Sequence, residues 1–152
     1  MTVTEPIHDS INIHRLTGSI GAELAGVSLK VLDDAQFAII KSALHDHLML
    51  VFRDQFLSVD EHVAFARRWG APSVSPFVTY LPGHPEVLPL VNRGHAGTVT
   101  NNWHADSSFL PEPPSLTINS ARDVPVGGDT MWSNQYLAYE ALSDGMKDFL
   151  AG

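Results

Sequence analysis

The sequence predicts a mixed α+β fold that is mainly β, with helices flanking short strands. Three observations predict it. Apolar and polar residues alternate on either side of Gly18 and Gly21, the period-two signature of half-buried strands. Two segments, opening at Asp33 and Ser58, switch to a period near 3.6 and carry helix-start signals. From Ala71 onward, short apolar runs are cut by Pro and Gly, the punctuation of turns.

The elements follow in order. "MTVTEPIHDS", residues 1–10, reads as a flexible polar leader, and residues 11–152 as one domain without internal repeat or linker. "INIHRLTGSIGAELAGVSL" reads as two short strands joined by a turn. After Asp33-Asp34, which supply a cap and favourable charge, Phe37, Ile40 and Leu44 share a helical face with Ile39 and Ala43 beside them. "LMLVF", Leu48 to Phe52, has the length of a strand buried on both faces. A second helix starts at Ser58, where Glu61 completes a capping box, and stops at Gly70, with Phe65 and Trp69 four apart on one face. The stretch 71–97 is irregular, as binding loops often are, apart from the strand-like "EVLPLV". "SLTINSARDV" alternates as a strand, and "PVGGDTMW" reads as a tight turn entering another. Two short helices, Gln135 to Leu142 and Asp144 to Leu150, close the chain.

Composition narrows the function classes. The chain has 152 residues, 44% apolar and 17% charged, enough for one domain with a sizeable core. Its net charge of −8, with no basic cluster longer than Arg67-Arg68, would repel a polyanion, so nucleic acid is disfavoured as a partner. There is no cysteine, which removes disulfides, thiolate metal sites and Cys nucleophiles; any metal must sit on His, Asp, Glu or backbone oxygen. No apolar run approaches the ~20 residues of a membrane helix, and the leader has neither a basic n-region nor an apolar h-region. A cytoplasmic enzyme or binding domain is expected.

One stretch carries chemistry. In "NNWHADSSF", His104 and Asp106 stand two apart in a β-prone setting, so on a strand they would project from one face and could reach one ion. A His and a carboxylate, completed by a second His, form the facial triad of non-haem Fe(II) oxygenases, which leaves three coordination positions open. Composition alone, with 8 His and 11 Asp, gives roughly 0.6 such pairs by chance. The pair by itself therefore leaves two readings open, metal ligation and a structural His–Asp hydrogen bond. His45 and His47 suit a solvated helix terminus, and His84-Pro85-Glu86 lies in a Pro-rich loop where rigid placement is harder to arrange.

The wider pattern bears on that choice. Trp103, His104, Asp106, Phe109, Pro113-Pro114, Gly127-Gly128-Asp129-Thr130, Trp132 and the Ala138 to Leu142 helix resemble the run that characterises the taurine/2,4-dichlorophenoxyacetate dioxygenase (TauD/TfdA-like) family. "GSIGAELAGVSL" and "LVFRDQFLS" resemble that family's N-terminal half, so the likeness covers nearly the whole chain. It implies a double-stranded β-helix, or jelly roll, with flanking helices. It also implies an Fe(II)- and 2-oxoglutarate-dependent dioxygenase that uses O2, releases succinate and CO2, and hydroxylates a small organic acid. By the same resemblance His104 and Asp106 would be iron ligands, and Thr130 would donate a hydrogen bond to the distal carboxylate of 2-oxoglutarate. Phe109 could line the substrate pocket.

Two features set this chain apart. No histidine follows Asp106, and Arg122 is the only later arginine, whereas the family supplies its second iron-binding His and its 2-oxoglutarate Arg from the C-terminal half. The chain thus resembles the N-terminal portion of such an enzyme, with an incomplete jelly roll, two of three iron ligands and, by itself, weak iron binding. Taurine enzymes also hold their substrate with a His, a Tyr and an Asn where this sequence has Ser75, Val78 and Thr100. The expected substrate is accordingly another sulfonate, an alkyl sulfate or an aryloxyalkanoate, and self-association into a homo-oligomer stays open. Two rival functions remain at this level: a non-catalytic β-sandwich binding module, and a cupin-type metal enzyme that does not use 2-oxoglutarate.

Overall fold

A computed structural model describes residues 11–75, 78–91 and 102–152. They form a three-stranded mixed sheet and four helices, in the order β1 (Asn12–Arg15), β2 (Ala22–Ala25), α1 (Asp34–His47), β3 (Leu50–Val51), α2 (Val59–Arg67), α3 (Gln135–Glu140) and α4 (Asp144–Ala151). The leader lies outside the described residues. Among the described residues, no helix is long and apolar enough to cross a membrane. By internal contact the chain divides into two units, one of residues 1–56 with 124–152 and one of residues 57–123.

In the first unit β1 runs antiparallel to β2, with Asn12 opposite Ala25 and Arg15 opposite Ala22. The turn between them is held by Thr17, whose hydroxyl donates to the Ile20 carbonyl at 2.6 Å and accepts from the Ile20 N–H at 3.0 Å. β3 pairs with β2 in parallel, Ala22 beside Leu50 and Glu23 beside Val51. Parallel neighbours need a crossover, and α1 supplies it. Its start follows from local chemistry: the Asp33 side chain accepts the Gln36 N–H at 2.7 Å, and Gln36 returns a bond to the Asp33 N–H. α1 lies against β2 and β3 and buries Ile40 and Ala43, while Ala22 and Leu24 are buried from β2. Alternation in β2 is as the sequence predicts, since Glu23 and Ala25 are only half-buried. Gln55 ties the following loop down: its carbonyl oxygen accepts the Leu29 N–H, and its amide donates to the Val27 and Arg53 carbonyls.

The expected strand over 48–52 is shorter than the pattern suggests. Leu48 is the residue that ends α1, at φ +64, and its N–H closes back on the Leu44 carbonyl at 2.7 Å. Only Leu50 and Val51 remain to pair, and neither is fully buried.

In the second unit Ser58 and Glu61 form the predicted capping box of α2. Leu57, Val63 and Phe65 are its buried apolar residues, and Phe65 meets Trp69 edge to face with centroids 6.2 Å apart. The helix ends at Arg67, and Gly70, at φ +145, completes the turn out of it. The segments expected as strands at 86–91, at 102–109 and at 115–124 are not strands, and neither is the segment after Thr130. A strand exists only where a neighbour completes its ladder, and period-two alternation does not supply one. The first segment instead joins a tight turn, with the Leu81 N–H bonded to the Val87 carbonyl at 2.8 Å.

At the C-terminal side of the first unit, Gly127 at φ +86 makes the turn expected of the Gly-Gly pair, and the Gly128 N–H closes it on the Pro125 carbonyl. Asn134 caps α3 through the Leu137 N–H and donates its own amide to the Ser19 carbonyl at 2.7 Å. Ser143 caps α4.

Candidate metal centre

His104 and Asp106 stand in a loop rather than on a strand. Residues 103–105 have no regular structure, and the chain enters a turn at Asp106, with Ser107 in the left-handed region at φ +50 and the Leu110 N–H bonded to the Ser107 carbonyl. Shared projection from a pleated face is therefore not what unites the two side chains. They nevertheless converge, with His104 Nε2 3.3 Å from Asp106 Oδ1.

Each side chain is held from its far side. His104 Nδ1 lies 2.8 Å from the Asn102 carbonyl oxygen, which can only accept, so Nδ1 carries the hydrogen. In the neutral ring this leaves a lone pair on Nε2. The Thr117 hydroxyl donates to Asp106 Oδ2 at 2.8 Å and leaves Oδ1 facing the imidazole. A lone pair and a carboxylate oxygen at this distance repel unless a cation lies between them or a proton sits on Nε2.

The donor set fits a divalent metal. At metal–ligand bonds of about 2.1 Å, adjacent ligands of an octahedral or tetrahedral ion lie roughly 3.0–3.4 Å apart, which brackets the observed separation. Both side chains are about half exposed, at 51% and 53%, so an ion and exogenous ligands can reach them. Among the described residues, no third His, Asp or Glu joins the pair to complete a metal-binding cluster.

The other histidine candidates go elsewhere. His45 and His47 lie in the last turn of α1, as their helix-terminus reading expects. His84 Nδ1 is 3.8 Å from Asp60, while Glu86 pairs with Arg67 at 2.7 Å. The Glu86 carboxyl is held below its ordinary range by a bond to its own backbone N–H and by Arg67. Arg122 donates to the Leu57 carbonyl, and its neighbour His62 is half-buried, with burial pushing the imidazole below its ordinary value of 6.5.

The remaining predicted residues are placed as follows. Thr130 follows the Gly127 turn in the first unit and is exposed. Phe109 is 73% exposed in the turn after Asp106. The Ser75 N–H donates to the Tyr80 hydroxyl, and Val78 lies exposed in the same loop. Thr100 lies outside the described residues. Sequence reasoning missed Asn102 and Thr117. Asn102 contributes a backbone carbonyl, which no residue type announces, and Thr117 lies 11 residues beyond its partner, outside any local motif.

The chain was compared with known proteins. It is 35% identical over 142 residues to an alkylsulfatase of Acinetobacter baylyi, covering 91% of this chain and 44% of the relative. It is 34% identical to an alpha-ketoglutarate-dependent sulfate ester dioxygenase of Pseudomonas putida, covering 95% and 48%. The fold is similar to the crystal structure of a taurine dioxygenase from Burkholderia xenovorans, with a TM-score of 0.69 and 33% identity over 94% of this chain and 51% of that one. The chain thus spans about half the length of the curated relatives it matches. The model of the taurine catabolism dioxygenase TauD, TfdA family matches residues 12–152, and the chain belongs to that family.

Proposed function

We propose that this chain forms the iron-holding part of an Fe(II)/2-oxoglutarate-dependent dioxygenase that hydroxylates a small organic acid, with sulfate esters the leading class and sulfonates and aryloxyalkanoates the alternatives. One observation carries the reading: Nε2 of His104, the ring nitrogen turned away from the Asn102 carbonyl, faces Oδ1 of Asp106 at 3.3 Å. Family membership and relatives named for sulfate ester chemistry support it. When bound, iron with 2-oxoglutarate and O2 supplies the oxidising chemistry, in which succinate and CO2 leave and a substrate C–H bond is hydroxylated.

The protein's residues have distinct tasks in this scheme. His104 and Asp106 would hold the metal, the carboxylate offsetting one of its two charges. Thr130 would donate its hydroxyl to a carboxylate of 2-oxoglutarate, just after the turn that Gly127 makes at φ +86. Ser75, Val78, Thr100 and Phe109 would face the substrate, and an imidazole and phenol suited to taurine are absent from the first two of those positions. A complete double-stranded β-helix is the architecture proposed for the whole enzyme.

The test, on the protein extended to the length of its relatives, is succinate release from 2-oxoglutarate with Fe(II), across a panel of alkyl sulfates, sulfonates and aryloxy acids. At least one acid should stimulate release, His104→Ala and Asp106→Ala should abolish it, and Thr130→Val should raise the KM for 2-oxoglutarate. Release that persists in His104→Ala would overturn the assignment, as would no release with any member of the panel.

A further inference from the structure

We propose that Thr117 is a positioning residue for the metal, acting through Asp106; this rests on the reading that His104 and Asp106 are ligands. A carboxylate on a half-exposed loop rotates freely about its last bond and can present either oxygen, or both. Here the Thr117 hydroxyl occupies Oδ2 at 2.8 Å, so Oδ1 alone is turned toward His104. The Asn102 carbonyl does the same for the imidazole, fixing the tautomer in which Nε2 is the free donor atom. Each donor is thus pinned by one hydrogen bond on the side away from the other, and the pair is poised before any ion arrives. Of the two pins only Thr117 is a side chain, so it is the one that substitution can remove. Its bond spans 11 residues and joins the loop of Asp106 to the segment whose Ile118 backbone bonds to His62 of α2. The Asp106 carboxylate is thereby referenced to a helix as well as to its own turn.

The experiment is a Mn(II) titration of the intact protein, followed by loss of the free-ion electron paramagnetic resonance signal, for the parent, Thr117→Val, Thr117→Ser and His104→Ala. Valine keeps the shape and removes the hydroxyl; serine keeps the hydroxyl. Thr117→Val should weaken Mn(II) binding by about tenfold or more, and Thr117→Ser should stay within about threefold of the parent. The thermal midpoint of metal-free Thr117→Val should move by no more than about 2 °C, as for an exposed substitution. In the Co(II)-loaded protein, freeing Oδ2 lets the carboxylate bind through both oxygens, so the visible absorption band should change in Thr117→Val and return in Thr117→Ser. Parental affinity or an unchanged band in Thr117→Val overturns the proposal, and so does an equal loss in both variants. If His104→Ala binds Mn(II) as the parent does, the metal reading itself fails and Thr117 loses its role with it.

Discussion

Gly21 joins the β1–β2 turn to the strand that anchors the first unit, and its replacement by alanine is a quantitative test of that packing. Its φ of +92 is one that a side chain rarely adopts, and an added Cβ would stand 2.8 Å from the Met49 Cε. The backbone conformation alone costs a non-glycine residue about 1–3 kcal/mol. The steric contact adds a smaller amount, roughly 1 kcal/mol, because the obstructing atom is the far end of a flexible thioether. Reduced freedom in the unfolded chain returns about 0.4–1 kcal/mol. The net loss is roughly 2 kcal/mol, and the bond from the Gly21 N–H to the His47 carbonyl at 2.8 Å contributes none of it, since alanine keeps the donor. With a urea m value of about 2 kcal/mol/M, the denaturation midpoint of Gly21→Ala should fall by about 1 M. Gly18→Ala is the control: nothing lies within 4 Å of its Cβ position, so stability should change by no more than about 0.5 kcal/mol. Equal midpoints for the two variants would refute the strain assigned to Gly21.

Two further outcomes follow from α2. Ser58→Ala removes the acceptor of the Glu61 N–H and should cost about 1 kcal/mol in urea unfolding; Glu61→Ala added to it should cost less than it does alone, and full additivity would mean that the reciprocal bonds are independent. His62 predicts a pH dependence. Burial holds its folded pKa below 6.5, so the unfolded chain takes up the proton first. The stability linked to His62 is complete above about pH 6.5, declines as pH falls from there toward the folded pKa, and levels off below it. The urea midpoint of the parent should therefore fall relative to that of His62→Gln on acidification from pH 8 to pH 5, and a constant difference between them would contradict this.

The helices and the site pair were legible in the sequence for different reasons. Asp33 and Ser58, read as helix starts, cap α1 and α2 because a cap bonds to a backbone N–H only three residues away, and Asn134 and Ser143 prove to cap α3 and α4 in the same way. The β1–β2 hairpin was legible because its partner strands are neighbours in sequence. The segments 86–91 and 115–124 were read as strands and are not, since alternation signals a half-buried surface and says nothing of where a pairing strand lies. Leu48 was read as a strand residue because nothing local shows that a leucine will take the left-handed turn at the end of α1.

What the sequence by itself determined is therefore the local chemistry: which residues start helices, that cysteine ligands are excluded, and that His104 and Asp106 are the candidate pair for a metal. Tertiary structure decided how that pair meets. The two residues converge from a loop and not a strand face, and Thr117, brought back from 11 residues downstream, selects which oxygen of Asp106 faces the imidazole. Hydrogen bonds within a helical turn are written into adjacent residues, whereas a contact closed by a long loop exists only once the chain between has been folded into place.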